Sequence, residues 1–367
     1  MGRIAVIGAG VAALAATRTL VLAGRRPLLI APDRDVISRG ETLSPAAAGL
    51  LDHLQWSDLL DDETSVMSEG RFSVWGDAKL RRAAPGEGAG WHIDRAAFER
   101  RMRGKLQSDA IECSAIIVTM LAHHCDGVVI ELGDGRVVFA DAAIDCSGRA
   151  ALSSGTAAGR RRTDRLVAVW RVLVLPDETE PAAATLVEAV ALGWWYMAPL
   201  PSRRMMLGLF TDTDLLPPGA TQDGARWTEL AASTIAIAPR LRSLGLDEIA
   251  GCEPPQVAPA ATVTASRLIE GRILRAGDAA AALDPLGANG LATALWSGVA
   301  AAEAALTLAD GERERADAYE RDYLQGIAQH LFTQQAMYAA EARFADAPFW
   351  QRRRPAASSH PQEETLP

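Results

Sequence analysis

The chain has 367 residues, with 37 Lys+Arg against 46 Asp+Glu and a formal net charge of −9. At roughly 150 residues per domain that length implies about two structural units with ample core. The acidic balance, with no dominant basic stripe, excludes nucleic acid as a partner. No run of about 18 uninterrupted apolar residues occurs, and Ile4 to Ala16 is broken by glycines, so neither a membrane span nor a signal peptide is expected. Cys113, Cys125, Cys146 and Cys252 lack metal or disulfide spacing, which points to a reducing cytoplasm and no metal site. Lys79 and Lys105 are the whole lysine complement, so a mechanism that needs a lysine has those two to draw on.

In chain order, Arg3 to Gly8 is a short apolar run ending in glycine, Ala12 to Leu22 has helical spacing, and Pro27 to Ala31 is apolar again. This is a strand, tight turn, helix and strand: one βαβ unit. Gly127 to Leu132 and Arg136 to Phe139 flank Gly133-Asp134-Gly135, a hairpin signal, and Ala142 to Cys146 is a short buried strand. These extend the first sheet. From about 164 to 260 the pattern turns β-rich, with strands over Leu166 to Leu175 and Met205 to Phe210 and a helix from Gly224 to Ala238 that Pro239 stops. This is a second, substrate-side domain. Arg272 to Ala276 returns to strand, Gly290 to Ala309 is an Ala-rich helix, 311–345 is helical, and 352–367 has the composition of a disordered tail.

The turn Gly8-Ala9-Gly10-Val11-Ala12-Ala13 lies between strand and helix, where backbone amides and the helix N-terminus suit a pyrophosphate. The acidic residue that usually holds a ribose hydroxyl is missing at Ala31-Pro32; Asp33 is either its substitute or a solvated turn residue. A second constellation, Gly277-Asp278 and then Asp284-Pro285-Leu286-Gly287-Ala288-Asn289-Gly290-Leu291, sets a carboxylate at a strand end and a glycine-rich loop at a helix start. That pairing offers an acceptor for sugar-like hydroxyls beside amides that stabilise negative charge.

Together the two motifs resemble FAD-binding proteins of the para-hydroxybenzoate hydroxylase fold. The resemblance implies an α/β fold: a Rossmann-type FAD-binding domain, an inserted sheet-based substrate domain and a C-terminal helical segment. On this reading the FAD domain is discontinuous over 1–70, 91–163 and 264–310, the substrate domain takes 71–90 and 164–263, and 311–351 forms the C-terminal helices. Asp278 is implied to bind the ribityl chain, and the loop from Pro285 through Gly287, Asn289, Gly290 and Leu291 to lie under the isoalloxazine.

Gly40-Glu41-Thr42-Leu43-Ser44-Pro45 and His92-Ile93-Asp94-Arg95 through Phe98 resemble segments of the halogenase-like and geranylgeranyl-reductase-like branches. There the first lies along the flavin and the arginine near the ribityl and phosphate region, which marks Glu41, Thr42 and Arg95. Asp145-Cys146-Ser147-Gly148-Arg149 resembles the family strand end near the adenine, with Cys146 a core residue. Gly193-Trp194-Trp195-Tyr196-Met197-Ala198-Pro199-Leu200 resembles a run of the flavin-dependent tryptophan halogenases, with Tyr196 and Ala198 replacing Trp and Ile. The halogenase lysine is absent from its place before Phe72 to Gly76, which disfavours halogenation.

The whole is similar to flavoproteins that mature quinone cofactors by hydroxylating a tryptophan of a partner polypeptide. The implied activity is an FAD-dependent monooxygenase acting on an aromatic ring, an indole free or within a polypeptide, through a flavin C4a-hydroperoxide and O2. Electrons would come from NAD(P)H or a partner flavin reductase. Glu41, Trp194, Trp195, Tyr196 and Pro285 are the expected catalytic surroundings, and Glu188 an alternative to Glu41 for orienting substrate. A halogenase, an isoprenoid-saturating flavin reductase and a non-catalytic flavoprotein assembly factor are the competing readings.

Overall fold

A computed structural model describes residues 2–32, 40–84, 89–107, 111–154, 159–177, 179–246 and 253–354. Asp33 and Cys252 lie outside the described residues. The βαβ unit forms as expected, with strand Ile4–Ile7, helix Val11–Leu22 and strand Leu28–Ile30. Ile4–Ile7 pairs in parallel with Leu28–Ile30 on one side and Ala142–Asp145 on the other. Ile273–Arg275 and Glu112–Ser114 extend this parallel sheet outward. All four residues of Ile4–Ile7 and of Ala142–Asp145 are buried, as a sheet covered on both faces requires.

The hairpin departs from expectation. Gly127–Leu132 and Val137–Ala140 do pair antiparallel, but with Val118–His124 they build a separate small sheet instead of extending the first. Their residues alternate between buried and more exposed positions, a pattern suited to a sheet with one wet face and not to insertion among buried parallel strands.

A larger sheet carries, in spatial order, Gln256–Pro259, Leu166–Val174, Arg204–Asp212, Gly193–Leu200, Ala184–Val190, Ser65–Val74, Ala89–Asp94 and Gly40–Leu43. The boundary expected between residues 70 and 71 therefore falls inside one strand. Gly40–Leu43 and the 91–94 part of Ala89–Asp94, expected in the cofactor domain, are strands of this sheet. At Gly40 an added Cβ would sit 2.9 Å from atoms of Leu200 and Met206, so this strand lies directly against the sheet's centre.

Helix Gly224–Ala232 ends early and a separate helix, Ile237–Ser243, follows. Pro239 lies in the first turn of the second helix and does not stop the first, because no intrahelical partner awaits an N–H there. Glu188 makes this start stable. Its buried carboxylate accepts from the backbone N–H groups of Ile235, Ala236 and Ile237 at 2.6, 2.8 and 2.9 Å. Glu188 is thus a helix cap reaching across from a strand.

Helix Gly290–Ala309 is long and apolar enough to cross a bilayer by composition, yet it packs inside the fold against Val11–Leu22 and Glu314–Ala339. Pro348–Gln351 is the last helix among the described residues. The expectation of disorder from residue 352 is not met at Arg352, which pairs with Asp212 and Asp214, or at Arg353, which pairs with Asp212. Residues 355–367 lie outside the described residues.

Replacing Glu188 by Ala strands three backbone donors at a part-buried helix start. About 2 kcal/mol of stability should be lost, read by urea denaturation, with flavin affinity unchanged.

Candidate functional site

Two turns at the carboxyl edge of the parallel sheet form the centre of the site. At Gly8 the backbone has φ +131°, and a Cβ would meet the Cys146 carbonyl oxygen at 2.2 Å, so only glycine lets the turn pass the neighbouring strand. Gly10 caps helix Val11–Leu22 with no side-chain hydrogen bond, while Val11, Ala12 and Ala13 are buried in its first turn. The amides of that turn are thus left to a ligand. Gly277, at φ +58°, packs so closely that an added Cβ would lie 2.9 Å from the Ala12 Cβ. The two glycine motifs, far apart in the chain, are in contact here.

Asp278 follows with its side chain about half exposed (52%) and the Arg149 guanidinium 3.7 Å away. Pro285–Gly287 forms a single 3-10 turn, Ala288 turns left-handed at φ +53°, and Asn289 opens helix Gly290–Ala309. Asn289 and Gly290 are exposed and Leu291 is buried, so a helix N-terminus faces outward beside Asp278.

Asp94 accepts from the N–H groups of Ala96 and Ala97 and starts helix Arg95–Leu106. This delivers Arg95 to the cofactor turn: a Cβ on Gly10 would be 3.8 Å from both Arg95 and Glu99. Arg95 donates to both carboxylate oxygens of Glu41 at 2.9 Å and also binds Glu99. Burial works against its charge, but Glu41, Glu99 and the field of Asp278 hold its pKa well above the ordinary value.

Thr42, next along the strand, shares a 3.1 Å hydrogen bond with the Tyr196 hydroxyl. Burial raises the Tyr196 phenol to about 12, so it stays protonated and can donate near neutral pH. Glu41, Thr42, Arg95 and Tyr196, expected from separate segments, therefore meet at one place.

Strand Gly193–Leu200 sends alternate side chains to opposite faces. Trp195 packs against Trp227 at 5.4 Å in the core behind the sheet, so its expected place in the catalytic pocket is not borne out. Trp194 and Tyr196 share the other face. Trp194 is itself buried, stacked on Phe210 with ring centroids 4.0 Å apart and an interplanar angle of 9°. Of the aromatic triplet, Tyr196 alone is less than fully buried.

The structure adds residues that sequence reading missed. Helix Glu314–Ala339 carries Tyr319, Tyr323 and Tyr338, whose hydroxyls donate to the Arg275 carbonyl, the Gly277 carbonyl (3.2 Å) and the Asp284 carboxylate (2.7 Å). His330 of the same helix lies against Gly287, where an added Cβ would be 3.0 Å from its ring. The spacing of these residues on one helical face was a usable signal. All four tyrosines of the chain thus touch this site.

His124, Cys125 and Asp126 bring potential ligand atoms within 4.8 Å of one another, but all three are exposed in one hairpin turn. Asp126 pushes the Cys125 thiol pKa up, which disfavours the thiolate a metal would need.

Comparison with known proteins gives the family. The profile of the family described as tryptophan halogenase matches residues 52–366. The chain belongs to the tryptophan halogenase family. An FAD-dependent oxidoreductase named LodB, from Marinomonas mediterranea, is 26% identical over 374 residues, spanning 95% of each chain. Among solved structures, the peptidyl tryptophan dihydroxylase QhpG, essential for tryptophylquinone cofactor biogenesis, superposes with a TM-score of 0.76 at 24% identity, covering 96% of this chain and 78% of that one. The myxobacterial chondrochloren halogenase CndH gives 0.79 at 19% identity over 98% and 87% of the two chains. This family member is an FAD-dependent oxidoreductase. The uncapped helix at Gly10, the half-exposed Asp278 carboxylate and the outward helix start at Gly290 fit that cofactor.

Replacing Arg95 by Met leaves buried Glu99 with only the longer 3.7 Å contact to Arg103 and should cost about 3 kcal/mol of stability in chemical denaturation. Trp195→Ala, which empties a core position, should cost a similar 3–5 kcal/mol in the same assay yet leave the FAD dissociation constant within about twofold.

Proposed function

We propose that this family member is a monooxygenase that hydroxylates an aromatic ring, an indole above all, carried by a small molecule or by a polypeptide. One observation carries the preference for hydroxylation over halogenation: neither lysine is in the site. Lys79 is exposed in a turn whose backbone N–H caps onto Asp77, and Lys105 pairs with Asp58 at 2.6 Å on an outer helix. The polypeptide-borne substrate is supported by the likeness to QhpG, a peptidyl tryptophan dihydroxylase.

When bound, FAD supplies the electron transfer and dioxygen chemistry that no side chain here provides. In this proposal the amides from Gly10 to Ala13 and the helix dipole take the pyrophosphate, and Asp278 accepts from ribityl hydroxyls. Pro285, Gly287, Asn289, Gly290 and Leu291 present the second helix N-terminus to the ring, where its amides stabilise negative charge. Arg95, fixed by Glu41 and Glu99, holds positive potential beside the phosphate turn. Tyr196, oriented by Thr42, offers a neutral phenol O–H at the pocket wall to bind and orient substrate. The packed indole of Trp194 and the strands behind it keep water from that wall. Reducing equivalents come from NAD(P)H or a partner flavin reductase.

The test supplies reduced FAD, 18O-labelled dioxygen, bromide and a tryptophan-containing peptide, and weighs the product. The proposal expects one or more labelled oxygens on the indole with no bromine. Bromination that disappears in Lys79→Ala would contradict it. Asp278→Ala should weaken FAD binding by at least about tenfold, roughly the loss of one charge-assisted hydrogen bond.

A further inference from the structure

Beneath the Pro285 turn runs a chain of hydrogen bonds that the proposed function does not use. The Trp194 indole N–H donates to the Tyr338 hydroxyl at 3.2 Å, and that hydroxyl donates to Asp284 Oδ2 at 2.7 Å. The other oxygen, Oδ1, accepts from the Leu286 amide at 2.9 Å inside the turn. Asp284 is 2% exposed, and both Trp194 and Tyr338 are equally deep. The relay therefore crosses from the large sheet, through the C-terminal helix, to the residue that starts the candidate flavin loop.

Further contacts fix its middle. Tyr338 packs edge-on against Phe349 and Trp350 at 6.0 and 5.9 Å. Arg353 lies over its ring at 5.2 Å while pairing with Asp212. These contacts hold the phenol in place without consuming its proton, which points at Asp284.

We propose that Asp284, held by Tyr338 and Trp194, is a positioning residue that sets the charge beneath the flavin ring, so that protonation of this one buried carboxyl changes the reduction potential of bound FAD. This rests on the placement of the ring against the Pro285–Leu291 loop, and is independent of whether the substrate ring is oxygenated or halogenated. An ionised Asp284 disfavours added negative charge on the ring, so the potential falls as the carboxyl loses its proton.

The surroundings put that event within reach of ordinary buffers. Burial raises the Asp284 carboxyl to about 6, helped by Asp164 and opposed by the Leu286 amide, the Tyr338 hydroxyl and Arg353. His330, from the same helix as Tyr338, faces the adjoining Gly287, and burial lowers its pKa. Because Tyr338 donates to the ionised form, removing its hydroxyl must raise the Asp284 pKa further.

The experiment is spectroelectrochemical titration of the FAD-loaded protein between pH 4.5 and about 8.5, with circular dichroism confirming the fold of each variant. The pH range brackets a group displaced upward from an ordinary carboxyl. Wild type should show an added downward step in potential centred near the Asp284 pKa. Asp284→Asn should abolish the step, and Tyr338→Phe should move it up by about one to two pH units, the worth of a hydrogen bond to a charged acceptor. Trp194→Phe keeps the stacked ring and should move it the same way by less. A step that stays unmoved in both Asp284→Asn and Tyr338→Phe overturns the proposal. Pro285→Ala separates the two ways to fail. If it perturbs the flavin spectrum while Tyr338→Phe does nothing, the relay is merely structural; if neither perturbs it, the ring does not lie on this loop and the proposal falls with that placement.

Discussion

The site depends on one close contact between two helices. Where Gly290–Ala309 crosses Val11–Leu22, a Cβ on Gly298 would lie 2.3 Å from the Ala12 carbonyl oxygen and 3.1 Å from the Ala15 Cβ. Only a backbone bare of side chain allows that approach. It brings the two helix N-termini and their glycine turns to the same edge of the parallel sheet. Ser297, one residue earlier, donates to the Ala294 carbonyl at 3.3 Å and accepts the Gly277 amide at 2.9 Å, tying the second turn to the crossing. The run of small residues in both helices is therefore a geometric requirement of this close crossing.

Around this contact, the remaining elements divide labour by face. The large sheet turns Trp195, Met197 and Leu207 toward the helices at 224–243, and Trp194, Met206 and Phe210 toward the C-terminal segment. The same strand that builds the rear core thus also supplies the wall of the site. Helix Glu314–Ala339 closes that wall: its tyrosine hydroxyls donate to carbonyl and carboxylate groups of the buried segment 275–284. Trp75 joins the same cluster, its indole N–H reaching the Met337 carbonyl at 2.8 Å, so the large sheet and helix Glu314–Ala339 are fastened together.

Local periodicity and turn chemistry carried the βαβ unit, both glycine motifs, the 290–309 helix and the Asp94 helix start, because each is determined within a few residues. What was illegible is long-range. Nothing near Glu188 reveals that its partners are amides at 235–237, and nothing near Trp195 reveals which face of the strand is covered by Trp227. Pro239 misled because proline is tolerated in a first helical turn as well as beyond a last one. The hairpin at 127–140 pairs locally, as its turn signal implies, but its half-exposed strands belong to a separate sheet. Tyr319, Tyr323 and Tyr338 showed a helical face in sequence, but the groups they satisfy come from a motif some forty or more residues away.

The central claim is that a single flavin spans the two turns, with its ring between the Pro285–Leu291 loop and the Thr42–Tyr196 face. A crystal structure of the FAD-bound protein tests it most directly. The account predicts the pyrophosphate at the Gly10 helix start, the ribityl chain within hydrogen-bond distance of Asp278, and the ring edge against the amides of the 290–309 helix. A ring seated elsewhere, with the Gly290 helix start facing solvent, would contradict it.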